Sequence, residues 1–246
     1  MRDVLSRPHR PVATFSIVAR DPSTGELGVA VQSHWFGVGA LVPWVEAGVG
    51  AVATQSFVDP SYGALGLEMM RLGRSAPDAL AGLLAADDGR ELRQVGMVDA
   101  EGRVAAHTGA RCVADAGHVF DEELGVTCHG NLMARDTVWG AMLDAYRDGL
   151  ARDEDLPDRL LAALDAAQAE GGDIRGMQSA ALVVASGSPT GRVWDDLLFD
   201  LRVEDHPAPL AELRRLVVVR RAYRHMNRGD DAMEADDVAG ALEDYA

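Results

Sequence analysis

The sequence predicts an α+β protein built in layers, a four-layer αββα sandwich with two antiparallel sheets between helix layers. Three observations predict it. Strands and helices come in blocks rather than alternating one for one. The strand runs are apolar throughout, without the polar alternation of a sheet wetted on one face. Aromatic residues make up only 5% of the chain, which leaves small side chains to fill closely stacked layers.

The first third reads as three strands, Thr14 to Ala19, Leu27 to Ser33 and Val49 to Gln55, each rich in Val, Ala and Ile. Asp21-Pro22-Ser23-Thr24-Gly25 suits a tight reversal, so the first two form a hairpin. Helices follow from Tyr62 to Leu72, stopped by Gly73, and from the capping sequence Ser75-Ala76-Pro77-Asp78 to about Gly89. A second hairpin pairs Leu92 to Asp99 with Arg103 to Gly109 across Ala100-Glu101-Gly102. Val126 to Asn131 is a short strand, and Asp136 to Leu150 and Asp158 to Glu170 are helices, the latter with Leu160, Leu161, Leu164 and Ala167 on one face. Strands at Gln178 to Ala185 and Trp194 to Val203 and a helix from Pro207 to Arg224 complete the order.

Composition narrows the function. The chain of 246 residues is 48% apolar and 25% charged, as expected of one main globular domain. Its formal charge of −16, from 39 acidic against 23 basic residues, repels phosphate backbones and anionic membrane surfaces. Nucleic acid and membrane are therefore excluded as partners. Cys112 and Cys128 form no CxxC or Cys/His comb, so neither a disulfide framework nor a metal site is expected. Met1 to Pro11 lacks the apolar core of a secretory signal. Nor does any run reach the roughly 18 apolar residues of a membrane span, so the expected address is cytoplasmic. Nucleotide-binding glycine motifs are missing, and no cofactor is expected.

Several blocks, in order, resemble one family. They are Thr14-Phe15-Ser16-Ile17-Val18-Ala19, Gly25-Glu26-Leu27-Gly28-Val29-Ala30-Val31-Gln32-Ser33 and Gly48-Val49-Gly50-Ala51-Val52-Ala53-Thr54-Gln55. Further along come His129-Gly130-Asn131, the stretch from Gly172 to Ala181, and Asp200-Leu201-Arg202-Val203-Glu204-Asp205-His206-Pro207. Together they span about residues 13 to 222 and resemble the Ntn-hydrolase superfamily proteins catalogued as domain of unknown function 1028. The resemblance implies the αββα fold. It also implies that a Thr, Ser or Cys opening the first strand is the nucleophile and that its own α-amine, with a pKa of about 7.7 to 8.0, is the base.

Thr14 occupies that place, but thirteen residues precede it, so its nitrogen is an amide unless the Ala13–Thr14 bond is cut. The plain alternative is a threonine packed at a sheet end. If Thr14 is silent, a water is activated near the same strand ends, where Ser33, Glu46 and Asp59 lie and where His34 has a suitable pKa. Trp35 and Phe36 follow His34, so simple packing beside aromatics is the other reading.

The Thr54-Gln55-Ser56 junction between strand and helix offers the backbone N–H of Gln55 or Ser56 as an oxyanion hole, as in the general Ntn layout, with Tyr62 lining the pocket. A loop in which Ser56 and Asp59 cap the helix start is the competing account. At Cys128-His129-Gly130-Asn131, Asn131 would donate to a carbonyl oxygen and His129 would reach substrate, although Gly-Asn is also ordinary turn chemistry. Arg202, among Asp200, Asp205 and His206, would hold an anionic substrate or form a structural ion pair.

The chain is thus divided into an extension over 1–12, an Ntn-like domain over 13–225 and a helical tail over 226–246. The spacing of Ala232, Gly240, Ala241 and Tyr245 resembles the first part of a tetratricopeptide repeat, while composition alone allows an acidic, frayed helix. The expectation is hydrolysis of a small amide or ureido substrate by a homodimer. A non-catalytic binding or scaffold protein on the same sandwich is the alternative.

Overall fold

The computed structural model describes residues 14–245; the extension over 1–12, Ala13 and the Ala13–Thr14 bond lie outside the described residues. Within them the order is β1 (Thr14–Arg20), β2 (Leu27–Ser33), β3 (Pro43–Glu46), β4 (Gly50–Ser56), α1 (Ser61–Arg71), α2 (Ala76–Ala86), β5 (Arg93–Asp99), β6 (Val104–Thr108), β7 (Gly117–Asp121) and β8 (Val126–Asn131). Then follow α3 (Val138–Ala151), α4 (Leu156–Ala169), β9 (Ser179–Ala185), α5 (Val193–Asp196), β10 (Leu197–Val203), α6 (Pro209–Glu234) and α7 (Val238–Tyr245).

The strands form two antiparallel sheets, a six-stranded one ordered β10-β9-β2-β1-β8-β7 and a four-stranded one ordered β3-β4-β5-β6. Three apolar clusters separate their faces. Phe15, Ile17 and Ala30 pack with Leu160, Leu164 and Leu213 of the helices covering the six-stranded sheet. Val18, Val29 and Val31 meet Ala51, Ala53 and Val98 between the sheets. Val52, Val95 and Met97 pack under Tyr62, Leu67 and Leu80 of α1 and α2. Alternate residues of one strand therefore enter different clusters, and both sets are apolar. This is why the strands lack polar alternation.

Local chemistry explains the joints. Asp21 Oδ1 accepts from the backbone N–H groups of Ser23 (2.7 Å) and Thr24 (2.8 Å), closing the β1–β2 turn as an Asx turn. The other carboxylate oxygen of Asp21 pairs with Arg159 of α4, and both side chains are buried. Ser75 Oγ caps α2 by accepting from Asp78 N–H at 3.1 Å, and Asp155 does the same for α4 through Asp158 N–H at 3.3 Å. Gly28 lets α4 approach, since a Cβ there would come within 2.7 Å of Leu160 Cδ1.

Several expectations need correction. The edge strands β3 and β7 went unseen in the sequence because they are short and half-buried, so neither leaves a burial pattern. Residues 193–196 are a helical turn rather than the start of a strand. There the Asp196 carboxylate accepts from the backbone N–H and hydroxyl of Thr190, both at 2.8 Å, and holds the loop closed.

Finally, α6 runs without a break through residue 225, where the domain was divided from its tail. Its C-terminal half is covered by α7, with Ala241 buried, Arg228 paired to Asp244 at 2.6 Å and the Tyr245 ring lying where Gly229 lacks a Cβ. Among the described residues no helix is long and apolar enough to cross a membrane.

Candidate active site

Strand register builds the site. On the face of the six-stranded sheet turned to its neighbour, Ser33 lies beside Thr14 and Thr14 beside Asn131. One step along β1, Ser16 lies beside His129, which lies beside His118. The four-stranded sheet presents Gln55 beside Gln94 and Gln94 beside Thr108. Seven of these side chains, Thr14, Ser16, Ser33, Gln55, Gln94, His129 and Asn131, are wholly buried.

They form one hydrogen-bonded network across the two sheets, and its orientation can be read from its backbone ends. Gln94 Nε2 faces the carbonyl oxygens of Gly130 (2.9 Å) and Gly117 (3.1 Å), so it is the amide nitrogen and Gln94 Oε1 points the other way. That oxygen accepts from Gln55 Nε2 at 2.8 Å and Asn131 Nδ2 at 3.0 Å. Gln55 Nε2 also donates to Thr14 O at 3.1 Å, which leaves Gln55 Oε1 to accept the Ser16 hydroxyl proton. Ser16 Oγ has then spent its hydrogen, so His129 Nε2, 2.9 Å away, must be the donor to it. Thr14 Oγ1 donates to Ser33 Oγ at 3.2 Å.

Two atoms terminate the network without a donor, His129 Nδ1 and Asn131 Oδ1. The His129 ring lies over Gly96, whose missing Cβ makes room for it. Burial, with a smaller contribution from His118, pushes the His129 pKa down to about 3, so the imidazole is neutral at ordinary pH. It is a fixed hydrogen-bond donor to Ser16 and a poor base. The network therefore carries no net charge.

The strand ends around it are closed by irregular backbone. Ser56 (φ 68°) and Leu132 (φ 55°) are left-handed residues directly after Gln55 and Asn131, a conformation costly for a side-chain-bearing residue. A strap over 171–178 runs from the exit of β8 to the exit of β2: Ile174 N–H donates to Leu132 O at 3.1 Å, and Gln178 N–H donates to Ser33 O at 3.0 Å. Its Asp173 side chain is buried and takes the His34 backbone N–H at 3.1 Å and the Arg175 guanidinium at 2.9 Å.

Of the residues singled out in the sequence, the structure brings Thr14, Ser33, Gln55, His129 and Asn131 into one cluster. Gln55 enters by its side chain, while its backbone lies within the β4–β5 ladder, opposite Gln94. Ser56 also lies in that ladder, and its hydroxyl oxygen accepts from the Cys112 thiol at 3.1 Å. His34 is exposed at the rim.

The remaining four lie elsewhere. Tyr62 is under α1 on the outer face of the four-stranded sheet, donating its hydroxyl to Asp87 at 3.0 Å. Asp59 accepts from Ser61 N–H at 3.0 Å at the start of α1, so it orders a helix end. Glu46 pairs with Arg71 at the opposite end of β3–β4 and lines a cleft of about 330 Å3 there with Pro189 and Asp196. Arg202 sits on β10, at the edge of the sheet and three strands from Thr14, and pairs with Asp200 at 2.7 Å. Ser16 and Gln94 were missed in the sequence, although Ser16 shares a face with Thr14 by the two-residue strand period. Among the described residues no group of three or more His, Cys, Asp or Glu side chains could hold a metal ion.

Two antiparallel sheets with a buried, uncharged polar network between their strand ends define the class, an α+β protein with a candidate site inside its sheet-to-sheet interface. The chain belongs to a family of unknown function, DUF1028, whose model matches residues 14–213. The match begins on Thr14 and ends inside α6. Among solved structures, the chain is similar to the crystal structure of protein SPO2555 from Silicibacter pomeroyi, also described under DUF1028. The two are 31% identical with a TM-score of 0.72, over 83% of this chain and 88% of that one. No match is found among curated proteins.

Proposed function

We propose that the chain is a hydrolase acting on a small amide or ureido C–N bond, with Thr14 as nucleophile at the strand ends between the two sheets. One observation carries this reading: Thr14, which opens a central strand, lies in a desolvated row with Ser33 and Asn131, its hydroxyl bonded to Ser33 and its carbonyl to the Gln55 amide. In an Ntn hydrolase the first residue of the first strand holds that post, and two sheets covered by helices make up that superfamily's αββα sandwich. The base is then the Thr14 amine, freed by cleavage of the Ala13–Thr14 bond; if Thr14 is silent, a water activated at the rim by a group such as His34 attacks in its place. The neutral imidazole of His129 does not suit that role.

The substrate is a small polar molecule, and the charge of −16 argues against nucleic acid and anionic membranes. The same reading assigns a cytoplasmic homodimer, with α7 and the end of α6 as the first part of a tetratricopeptide-like repeat.

The test is a panel of small amides, ureides and carbamoyl compounds assayed with wild type, Thr14→Ala and His34→Ala. Thr14→Ala is expected to lower kcat at least about 1,000-fold and His34→Ala about 100-fold. Intact mass spectrometry reports whether residues 1–13 have been removed. Activity untouched by both substitutions would sink the site assignment.

A second reading, a binding or scaffold protein that keeps the sandwich without chemistry, draws on a specific observation. Every member of the network is buried and uncharged, so none is poised to move a proton. Absence of turnover across the panel favours it.

A further inference from the structure

The network leaves two atoms wholly without a partner, both acceptors, and that constrains what can enter it. Two backbone carbonyls orient Gln94, Gln94 orients Gln55 and Asn131, and Gln55 orients Ser16 and through it His129. Both amide hydrogens of Gln55 and of Gln94 meet oxygens, and one of the two on Asn131 Nδ2 meets Gln94 Oε1. The network atoms left without any partner are His129 Nδ1 and Asn131 Oδ1, both acceptors. His129 Nδ1 lies against the Gly96 backbone, where even a Cβ would come within 3.0 Å, so that face is filled by the opposite sheet. Asn131 Oδ1 is different, because Asn131 is the strand neighbour of Thr14 at the sheet end.

Its amide is also unable to turn over. Flipping it would point an oxygen at Gln94 Oε1, and Gln94 cannot flip in response without pointing its own oxygen at the carbonyls of Gly117 and Gly130. A wholly buried oxygen beside Thr14 is therefore held as an obligate acceptor.

We infer that Asn131 is a specificity-determining residue of the Thr14 site, whose Oδ1 accepts a hydrogen from a nitrogen of the bound substrate. The inference rests on the site proposed above and adds to the donor role that the sequence suggested for Asn131, since the bond of Nδ2 to Gln94 fixes which way Oδ1 points. It names the substrate class more narrowly: neutral compounds with an N–H next to the carbonyl, such as primary or secondary amides, ureas and carbamates. Esters of the same shape are excluded because they leave Asn131 Oδ1 without a donor. A charged ligand is disfavoured because nothing in the network offers a counter-charge.

Binding, read separately from turnover, tests this. Ligand-observed NMR titrations compare N-methylacetamide with methyl acetate, and 1,3-dimethylurea with dimethyl carbonate, on wild type and Asn131→Leu, with circular dichroism confirming that the variant is folded. Wild type is expected to bind each N–H compound about tenfold or more tightly than the partner lacking N–H, a factor equal to about 1.4 kcal/mol. In Asn131→Leu that ratio is expected to fall to near one. Should the variant not fold, the ratio within each isosteric pair on wild type decides alone.

Equal binding of the amide and the ester, no binding of either, or discrimination that survives in folded Asn131→Leu would overturn the assignment. Selective binding without turnover of any compound would remove the hydrolase reading and leave Asn131 in place. Turnover without N–H selectivity would do the reverse.

Discussion

The space between the two sheets has two halves built on the same strands. Toward the β1–β2 turn it is filled by Val18, Leu27, Val29, Ala51 and Val98, which meet only through dispersion and area removed from water. Toward the start of β1 the same strands present Thr14, Ser16, Ser33, Gln55 and Gln94, joined by directional bonds. The apolar half tolerates error, since losing one side chain costs its own area and a partly relaxed cavity. The polar half does not, because each amide is oriented by the one before it. Removing one member leaves several buried partners unsatisfied.

Acid should expose the difference most strongly. In the unfolded chain the His129 imidazole takes up a proton near pH 6.5, whereas in the folded chain burial holds it neutral down to about 3. Above about 6.5 neither state binds the proton. As pH falls below that, the unfolded state binds more protons and stability drops by up to about 1.4 kcal/mol per unit. The loss levels off once the folded state protonates too. Urea midpoints recorded from pH 7 to 4 should therefore fall steeply for wild type and more shallowly for His129→Gln. Parallel curves would mean that His129 is not held neutral.

Next in size, Gln94→Leu should cost about 3 kcal/mol or more in chemical denaturation, because Gln55, Asn131 and two carbonyls lose their partner together. The counterpart in the apolar half, Val98→Ala, should cost about 2 kcal/mol. If the two substitutions proved equal, the polar half would be no more interdependent than ordinary packing. Combining Gln94→Leu with Asn131→Leu sharpens the point. The pair should cost less than the sum of its singles, since each already disables the same bond, whereas Gln94→Leu with Val98→Ala should come closer to additive.

The same contrast explains what could be read in the sequence. Apolar runs such as Thr14 to Ala19 and Leu27 to Ser33 announce strands at nearly their true limits, and Ser75 and Asp78 announce a capped helix. Ser33 and Asn131 were found because each ends a strand, where polar groups gather, whereas Thr14 and the backbone of Gln55 were pointed to by the family resemblance. Ser16 and Gln94 were not, because a lone polar residue in an apolar run carries no sign of what it faces. That depends on how one sheet is laid over the other, and the contacts joining Ser16 to Gln55 and Gln55 to Gln94 each span 39 positions in the chain. Tyr62, Asp59, Glu46 and Arg202 stood near strand ends in the sequence but on the wrong face, end or edge of the sheets. Sequence distance from a strand end does not encode side.

The length of α6 has a mechanical meaning. Its first turns are anchored by Leu210, Leu213 and Val217 in the core over the six-stranded sheet, and the Arg220 side chain donates its Nε–H to the Leu198 carbonyl of β10 at 2.9 Å. Arg221, paired with Asp155 at 2.7 Å, and Arg224, over the Phe199 ring, pin the next turn, and the helix then continues to Glu234 as one rod that α7 grips near the far end. A rod fixed at one end and held at the other transmits torque. A load placed on α7 would therefore be shared between the start of α4, through Arg221, and the edge strand β10, two strands from the one that ends on Ser33 beside Thr14.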